Sequence, residues 1–137
     1  MKRFILYIWQ LPQNILGLLV ILFTKAKKTD REFEYVSKNH SPFGVSLGNY
    51  IIFGSGLYKG NMYITNTETS YKHECGHHQQ SLYLGWLYLL IVGLPSLCGN
   101  IYDRIKHKNW SSEDRNKWYY RRFPENWADK LGNVHRL

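Results

Sequence analysis

Two long runs of apolar residues without a charged side chain dominate the chain, and polar segments separate them. The first run covers residues 4–24 and the second covers residues 81–102. A helix rises about 1.5 Å per residue and the apolar core of a bilayer is about 30 Å thick, so the first run is long enough to cross it. Lysine or arginine residues flank this run on both sides, which is typical of membrane helices. The pattern therefore predicts an N-terminal membrane helix.

Two other interpretations of the first run stay open. Pro12 weakens its first half, so a kinked or partly interfacial helix fits the same residues. A cleaved signal peptide also combines basic residues with an apolar run, but this run ends in Phe23, Thr24 and Lys25 rather than in the small residues of a cleavage site. The sequence favours a retained segment over a cleaved one.

The polar region after the first run predicts a small sheet. Three short segments are rich in β-branched and aromatic residues, and they cover residues 44–48, 49–53 and 62–65. Glycine-containing segments separate the last two of these, at residues 54–56 and 59–61. We expect two or three antiparallel strands in this part of the chain.

A helix is expected to follow the sheet and to lead into the second apolar run. Thr67 and the residues up to Ser70 offer several side chains that can cap its N-terminus. Gly93 and Pro95 should break it inside the apolar run, because proline lacks the backbone donor and clashes with the preceding turn.

The last third of the chain is polar, basic and aromatic, and it predicts two further helices. Ser111 precedes acidic residues in the manner of a helix start. The final helix is expected over residues 125–131, because Pro124 suits the first position of a helix and Gly132 suits its end.

Length and charge narrow the class of protein. A chain of 137 residues suits one small domain. The formal charge of +8 and the aromatic content of 16% suit either a nucleic-acid surface or an anionic membrane surface. The two apolar runs favour a lipid bilayer as partner and no nucleic acid. We therefore expect an α+β fold, with a membrane anchor and its basic flank at residues 1–28 and a compact domain at residues 29–137.

His73, Glu74 and His77 form an HExxH motif, which is the most informative part of the sequence. Residues four apart on a helix lie on one face, so both imidazoles can reach the same ion. Glu74 would sit beside that ion without binding it, where a general base can take a proton from zinc-bound water. The motif predicts a Zn²⁺ site with Glu74 as the catalytic residue.

A catalytic zinc ion needs a third protein ligand and an open fourth position. The predicted final helix offers Glu125, and it places Asp129 four residues later on the same face. We expect Glu125 to bind the ion. Asp129 is expected to accept a hydrogen bond from the far ring nitrogen of a zinc-binding histidine, which fixes the tautomer of that imidazole.

The HExxH motif and the E-x-x-A-D-x-L-G sequence at residues 125–132 together resemble the motifs of the gluzincin metallopeptidases. The second motif is most similar to that of the membrane-bound branch with the CaaX prenyl endopeptidases and the bacterial heat-shock membrane proteases. The resemblance covers the two motifs and not the rest of the chain. It implies a zinc endopeptidase that cleaves a peptide or protein substrate. Related enzymes stabilise the tetrahedral oxyanion with a tyrosine or histidine, and the candidates here are Tyr119, Tyr120, His107 and His135.

A small membrane protein with a structural or regulatory zinc site is the alternative function. Such a site would close its fourth position with another protein ligand, and His78 and Cys75 are the nearest candidates. Glu74 separates the two functions, since only a hydrolase needs a free carboxylate beside the metal.

The expected metal site restricts the topology of the second apolar run. If residues 81–102 crossed the whole bilayer, the histidines and Glu125 would lie on opposite faces of the membrane. We therefore expect the run to return, either within one leaflet or as a buried hairpin. The lysines after the first run slightly favour a cytoplasmic catalytic domain at the membrane. An extended peptide is expected to pair with the edge of one of the predicted strands, with segment 49–53 favoured.

Overall fold

A computed structural model describes residues 1–38, 43–58, 61–64 and 67–136. The helices are α1 (Lys2–Trp9), α2 (Leu11–Thr24), α3 (Glu68–Leu84), α4 (Leu94–Lys106), α5 (Ser112–Arg121) and α6 (Glu125–Leu131). The strands are β1 (Lys27–Lys28), β2 (Glu34–Ser37), β3 (Gly44–Leu47), β4 (Tyr50–Tyr58) and β5 (Asn61–Ile64). The predicted α+β class is confirmed.

The sheet is mixed. Its strands follow the order β1-β2-β4-β3, and β5 pairs with the second half of β4. The three segments predicted as strands form β3, β4 and β5, and they pair antiparallel as expected. The prediction missed β1 and β2, and β2 runs parallel to β4, so the sheet is larger than expected and mixed. The sequence pattern hides β2 because two of its buried residues are polar. Glu34 accepts a hydrogen bond from Thr29 at 2.7 Å, and Ser37 donates one to the carbonyl oxygen of Thr24 at 2.8 Å.

β4 is longer than the sequence predicted. It continues through residues 54–56, where a break was expected, because the amide of Gly54 bonds the carbonyl oxygen of Phe43 at 2.9 Å and the Ser55 hydroxyl bonds that of Ser37 at 2.6 Å. Two other expectations, a turn at residues 59 and 60 and a strand end at Thr65, lie outside the described residues.

The first half of β4 forms the centre of the sheet. Ile51, Ile52 and Phe53 are at most 1% exposed. β2 and β3 pair with the two edges of this half, so the prediction that segment 49–53 binds a peptide along a free edge was wrong. β3 is the strand at the end of the order, and it packs beside α3.

The first apolar run forms two helices instead of one. α1 and α2 meet at Gln10 at an angle of 83°, and Pro12 lies in the first turn of α2, where its missing donor costs little. The interpretation of this run as a kinked helix therefore agrees with its shape. Within the described ranges, no single helix combines the length and hydropathy needed to cross a bilayer.

The second apolar run bends earlier than expected. Thr67 caps α3 by accepting a hydrogen bond from the amide of Ser70 at 3.2 Å, as predicted. After α3 the chain passes through a 3₁₀ turn at Gly85–Leu87 and a π-helical segment at Leu89–Gly93, and the two helical parts make an angle of 119°. The predicted break at Gly93 and Pro95 was misplaced, because Pro95 lies in the tolerant first turn of α4.

Two tryptophans join the bend at Gln10 to the bend at Gly85. The indole nitrogen of Trp9 donates to the carbonyl oxygen of Leu82 at 2.8 Å, and that of Trp86 donates to the carbonyl oxygen of Ile8 at 2.9 Å. Gly85 has a φ of +54°, and a side chain there would overlap the Trp9 ring. We name Trp9 and Trp86 the tryptophan clasp.

A buried polar cluster lies beneath the clasp. The Gln13 amide donates to the Ser81 hydroxyl at 2.8 Å and to the carbonyl oxygen of Gly85 at 2.9 Å. The Ser81 hydroxyl in turn donates to Gln10 Oε1 at 2.7 Å. All three side chains are fully buried, so the N-terminal helices are attached to α3 by hydrogen bonds that water does not replace.

The two predicted C-terminal helices are present. Ser111 caps α5 by accepting a hydrogen bond from the amide of Asp114 at 3.1 Å. α6 spans Glu125–Leu131, with Gly132 at its C-terminus. α6 packs closely on α3, because Gly76 leaves room for the carbonyl oxygen of Ala128. This contact brings the two predicted motifs together.

Candidate metal centre

His73, His77 and Glu125 converge on one point between α3 and α6. The Nε2 atoms of the two imidazoles are 3.1 Å apart, and Oε2 of Glu125 lies 3.0 Å from one and 3.1 Å from the other. Zinc bonds of about 2.0–2.1 Å in a tetrahedral arrangement separate neighbouring ligand atoms by about 3.3 Å. The three donor atoms therefore fit a zinc ion after a movement of a few tenths of an ångström.

Hydrogen bonds orient both imidazoles toward that point. The Nδ1 atom of His73 lies 2.6 Å from Asp129 Oδ1, and that of His77 lies 2.7 Å from Gln80 Oε1. Because an oxygen accepts the proton on each Nδ1, each Nε2 is left to bind a metal. Asp129 lies beside a ring nitrogen of His73, and its role in orienting a metal ligand stays a prediction. Gln80 was missed, although its place three residues after His77 is a usable signal.

Glu125 is held by its second oxygen. Oε1 accepts hydrogen bonds from the hydroxyl of Ser96 and, at 3.2 Å, from the hydroxyl of Tyr119. This leaves Oε2 directed at the two histidines. Ser96 lies in the second apolar run, beyond the bend, and no sequence motif marks it. Its contact with Glu125 is consistent with the expectation that this run returns to the side it left.

A C-terminal arginine completes the support of His73. Arg136 donates from Nε to Asp129 Oδ2 at 2.6 Å and from Nη2 to Asp129 Oδ1 at 3.1 Å. Its guanidinium lies 3.4 Å from the centre of the Tyr120 ring, and that ring in turn meets the His73 ring edge to face at 5.1 Å. The sequence analysis missed Arg136, since seven residues separate it from Asp129 and a turn lies between.

Glu74 lies beside the centre without joining it. Its side chain is buried, and its Oε2 atom has no hydrogen-bond partner in the part of the chain that the structure describes. Burial raises the pKa of Glu74, against the attraction of His77 and His73. A side chain on Gly44 of β3 would approach Oε1 of Glu74 to 3.2 Å, so Glu74 lies between the three donor atoms and the last strand of the sheet.

Glu125 and Asp129, the carboxylates at the centre besides Glu74, give it a negative potential. Burial lowers the pKa of His73, but the hydrogen bonds to Asp129 and Glu125 raise it more, to about 9. Burial raises the pKa of Glu125, yet the hydrogen bonds to His73 and His77 keep it well below its usual range. The metal-free centre therefore holds a proton that a divalent cation would displace.

The four candidates for the oxyanion donor lie in different places. Tyr119 and Tyr120 are close to the centre, as described above. His107 pairs with Asp103 at 3.0 Å and stacks on Trp110 at a ring distance of 3.8 Å. His135 is exposed and bonds the side chain of Asn133, two residues earlier. The structure thus brings the two tyrosines to the centre and places the two histidines in other contacts. The oxyanion role itself stays a prediction.

Neither candidate for a fourth protein ligand belongs to the cluster. His78 is partly buried and points elsewhere: its Nδ1 bonds the carbonyl oxygen of Gly48 at 2.7 Å, and burial lowers its pKa. Cys75 is half-buried beside Tyr71. Within the described ranges, the group of converging ligands consists of the three residues above.

No protein-family model, curated protein or solved structure matches the chain. The gluzincin resemblance therefore rests on the two motifs, and the function is argued from the centre itself.

Proposed function

We propose that the protein is a zinc-dependent endopeptidase with His73, His77 and Glu125 as metal ligands. The observation that carries this proposal is the position of Glu74, a buried carboxylate with an unpartnered oxygen beside three converging donor atoms. A structural role for the metal explains the three ligands but gives no reason to bury a further acidic group there, because burying an unpaired carboxylate is costly.

The chain supplies the groups that peptide hydrolysis needs. A bound zinc ion would polarise the scissile carbonyl group and lower the pKa of a water molecule. Glu74 takes the proton of that water and delivers it to the leaving amine, and its raised pKa suits a group that must hold the proton between these steps. Tyr120 is the tyrosine whose hydroxyl has no role in holding Glu125, so we favour it over Tyr119 as oxyanion donor.

Substrate binding is proposed along β3. This strand ends the sheet order, and its first residue, Gly44, lies next to Glu74. An extended peptide that pairs with its outer edge would pass the general base. The three ligands are only 1–6% exposed, so peptide access requires an opening movement of the elements that cover them.

The location of the activity is also a proposal. The apolar runs and the positive charge favour a membrane-associated enzyme with a cytoplasmic catalytic domain, which acts on peptides or proteins near the bilayer. Nucleic acid is not a proposed partner.

A structural zinc site is the second candidate, and the burial of the ligands favours it. A structural site normally has four protein ligands, whereas three converge in the described part of the chain. The two candidates differ in what they require of Glu74.

The test compares zinc content and peptide cleavage for the wild type and Glu74→Gln. Glu68→Gln is the control, because Glu68 is an exposed glutamate on the same helix. The proposal expects that Glu74→Gln keeps its zinc and loses cleavage by about 10²–10⁴-fold, while the control is unchanged. Zinc binding by all three proteins with no cleavage of a varied peptide library by the wild type would instead establish the structural site.

A further inference from the structure

α4 carries two chemically different faces. Leu94, Leu97, Ile101 and Ile105 recur at helical spacing on its outer face, and each is between 48% and 61% exposed. The opposite face holds Ser96, which contacts Glu125. One side of α4 therefore belongs to the metal centre, and the other is an apolar stripe that the described chain leaves uncovered. We name these four residues the α4 stripe.

The bends extend this apolar surface. Trp86, Leu87 and Leu90 are between 55% and 63% exposed. The indole N–H groups of Trp9 and Trp86 already donate to backbone carbonyl oxygens. These N–H groups therefore need no water molecule as acceptor when the rings enter an apolar environment. Exposed tryptophans of this kind suit the interface between water and lipid.

The charged residues at the borders of this apolar surface indicate which kind of partner it binds. Residues 1–29 contain five lysine or arginine residues and no acidic residue, and residues 75–102 contain no charged residue. The next residue, Asp103, is buried and paired with Arg115 at 2.7 Å, and three exposed basic residues follow at Arg104, Lys106 and Lys108. An apolar surface whose borders are mainly basic complements an anionic lipid leaflet.

We propose that the α4 stripe and the tryptophan clasp dock this protein in the plane of one anionic lipid leaflet, without any segment crossing the bilayer. The clasp supplies the geometric argument, because its hydrogen bonds and those of Gln13 hold both helix pairs in their bent forms. Straightening either pair to cross a membrane would break them. This docking rests on the membrane location given under the proposed function, and it does not depend on peptidase activity.

The first experiment measures flotation of the full chain with vesicles. Phosphatidylcholine vesicles are compared with vesicles that also contain phosphatidylglycerol. The wild type should bind the anionic vesicles, and Leu97→Glu should bind about tenfold less. Asn116→Glu is the control, since it adds the same charge at an exposed position of α5, and it should bind like the wild type. The circular dichroism spectrum of each variant verifies that it is folded.

Two results of this experiment overturn the proposal. One is the absence of binding by the wild type to anionic vesicles. The other is a dimer in lipid-free solution that Leu97→Glu dissociates while vesicle binding is unchanged, which would identify a second copy of the chain as the partner of the stripe.

The second experiment distinguishes docking from crossing. Single cysteines at Lys2 and Lys25 are made in a chain whose Cys75 and Cys98 are replaced by alanine, and sealed vesicles from expressing cells are treated with a membrane-impermeant maleimide. Docking on one leaflet predicts that the two positions react to the same extent as each other, both before and after the vesicles are permeabilised. Reaction of only one of them before permeabilisation would establish a spanning segment and overturn the proposal.

Discussion

The hydroxyl of Ser96 donates a hydrogen bond to Oε1 of Glu125, although the two residues are 29 positions apart. Ser96 lies just beyond the bend in the second apolar run, and Glu125 begins α6. The contact ties the position of the third ligand to the position of α4. A hydrogen bond to a charged ligand fixes which oxygen faces the metal.

Replacement of Ser96 by alanine should lower zinc affinity by about tenfold, because Oε1 of Glu125 loses a donor and the carboxylate can turn. Competition with a chromogenic chelator measures this. Ser112→Ala, at an exposed position of α5, is the matched control and should bind zinc like the wild type. Equal affinity of both variants would show that Ser96 does not position the ligand.

Zinc affinity should rise with pH. The metal-free protein holds a proton on His73, whose pKa is raised from 6.5 to about 9, and zinc must displace it. We expect an increase of about tenfold per pH unit between pH 6.5 and about 9, and a smaller slope above that. Chelator competition across this range tests the slope. A flat profile would contradict the assignment of the proton.

The same proton affects the stability of the metal-free protein. A histidine whose pKa is raised by folding stabilises the folded state fully below pH 6.5, and this contribution is lost as pH rises through about 9. Asp129 acts in the opposite sense, because folding lowers its pKa. Its ionised form stabilises the folded state when the pH is above the pKa of the unfolded state, and this stabilisation is lost as the pH falls through the lowered pKa. Thermal unfolding with a chelator present should therefore show a melting temperature that falls between pH 6.5 and 9.

Arg136→Ala should weaken zinc binding by about three- to tenfold. Arg136 holds both oxygens of Asp129, which in turn accepts the Nδ1 proton of His73. Isothermal titration calorimetry with Zn²⁺ measures the effect, and Arg121→Ala serves as a control at an exposed arginine. Asp129→Asn should cost more, about 10–100-fold. If Arg136→Ala and the control bind zinc with equal affinity, Arg136 does not help to position the metal ligands.

Gly76→Ala should destabilise the protein by about 1–3 kcal/mol, because the added methyl group overlaps the backbone of Ala128 and forces α6 away from α3. Zinc affinity should fall with it, since the two helices carry different ligands. Gly93→Ala is the control: its methyl group would find its nearest neighbour, in Leu89, at 3.5 Å. Chemical denaturation distinguishes the two variants, and equal stability would contradict the close helix contact.

Gln13→Leu should destabilise the protein by about 1–3 kcal/mol, since it leaves the Ser81 hydroxyl and the carbonyl oxygen of Gly85 without this donor. Leu18→Gln, at an exposed position of the same helix, should have a small effect. The comparison also tests the predicted division at residue 28. A domain that folds independently of residues 1–28 would tolerate Gln13→Leu without loss of stability.

The site was largely predictable because its key relationships are local. His73 and His77 are one helical turn apart, and so are Glu125 and Asp129, so helix periodicity alone aligns each pair. Ser96 and Arg136 could not be found in this way, because their contacts depend on how α4 and the C-terminal residues return to α6. A serine in an apolar run has no distinguishing pattern.

The errors in the fold have the same origin. Gly85 and Gly93 are equally plausible breaks in the sequence, and the Trp9 ring packed against Gly85 decides between them. β2 was missed because tertiary contacts satisfy its polar side chains, and the central place of β4 depends on the parallel pairing with β2. Local propensity carries no information on such pairings.

The tryptophan clasp also constrains the order in which the protein can assemble during its synthesis. It joins positions that are 73 and 78 residues apart in the chain. The N-terminal helices therefore leave the ribosome before the segment that contains Leu82 and Trp86 has been synthesised. Until then, their apolar side chains contact water, a chaperone or a lipid surface. Closing so long a loop is slow. The two N-terminal helices therefore reach their final positions only after Leu82 and Trp86, to which the clasp joins them, have been synthesised.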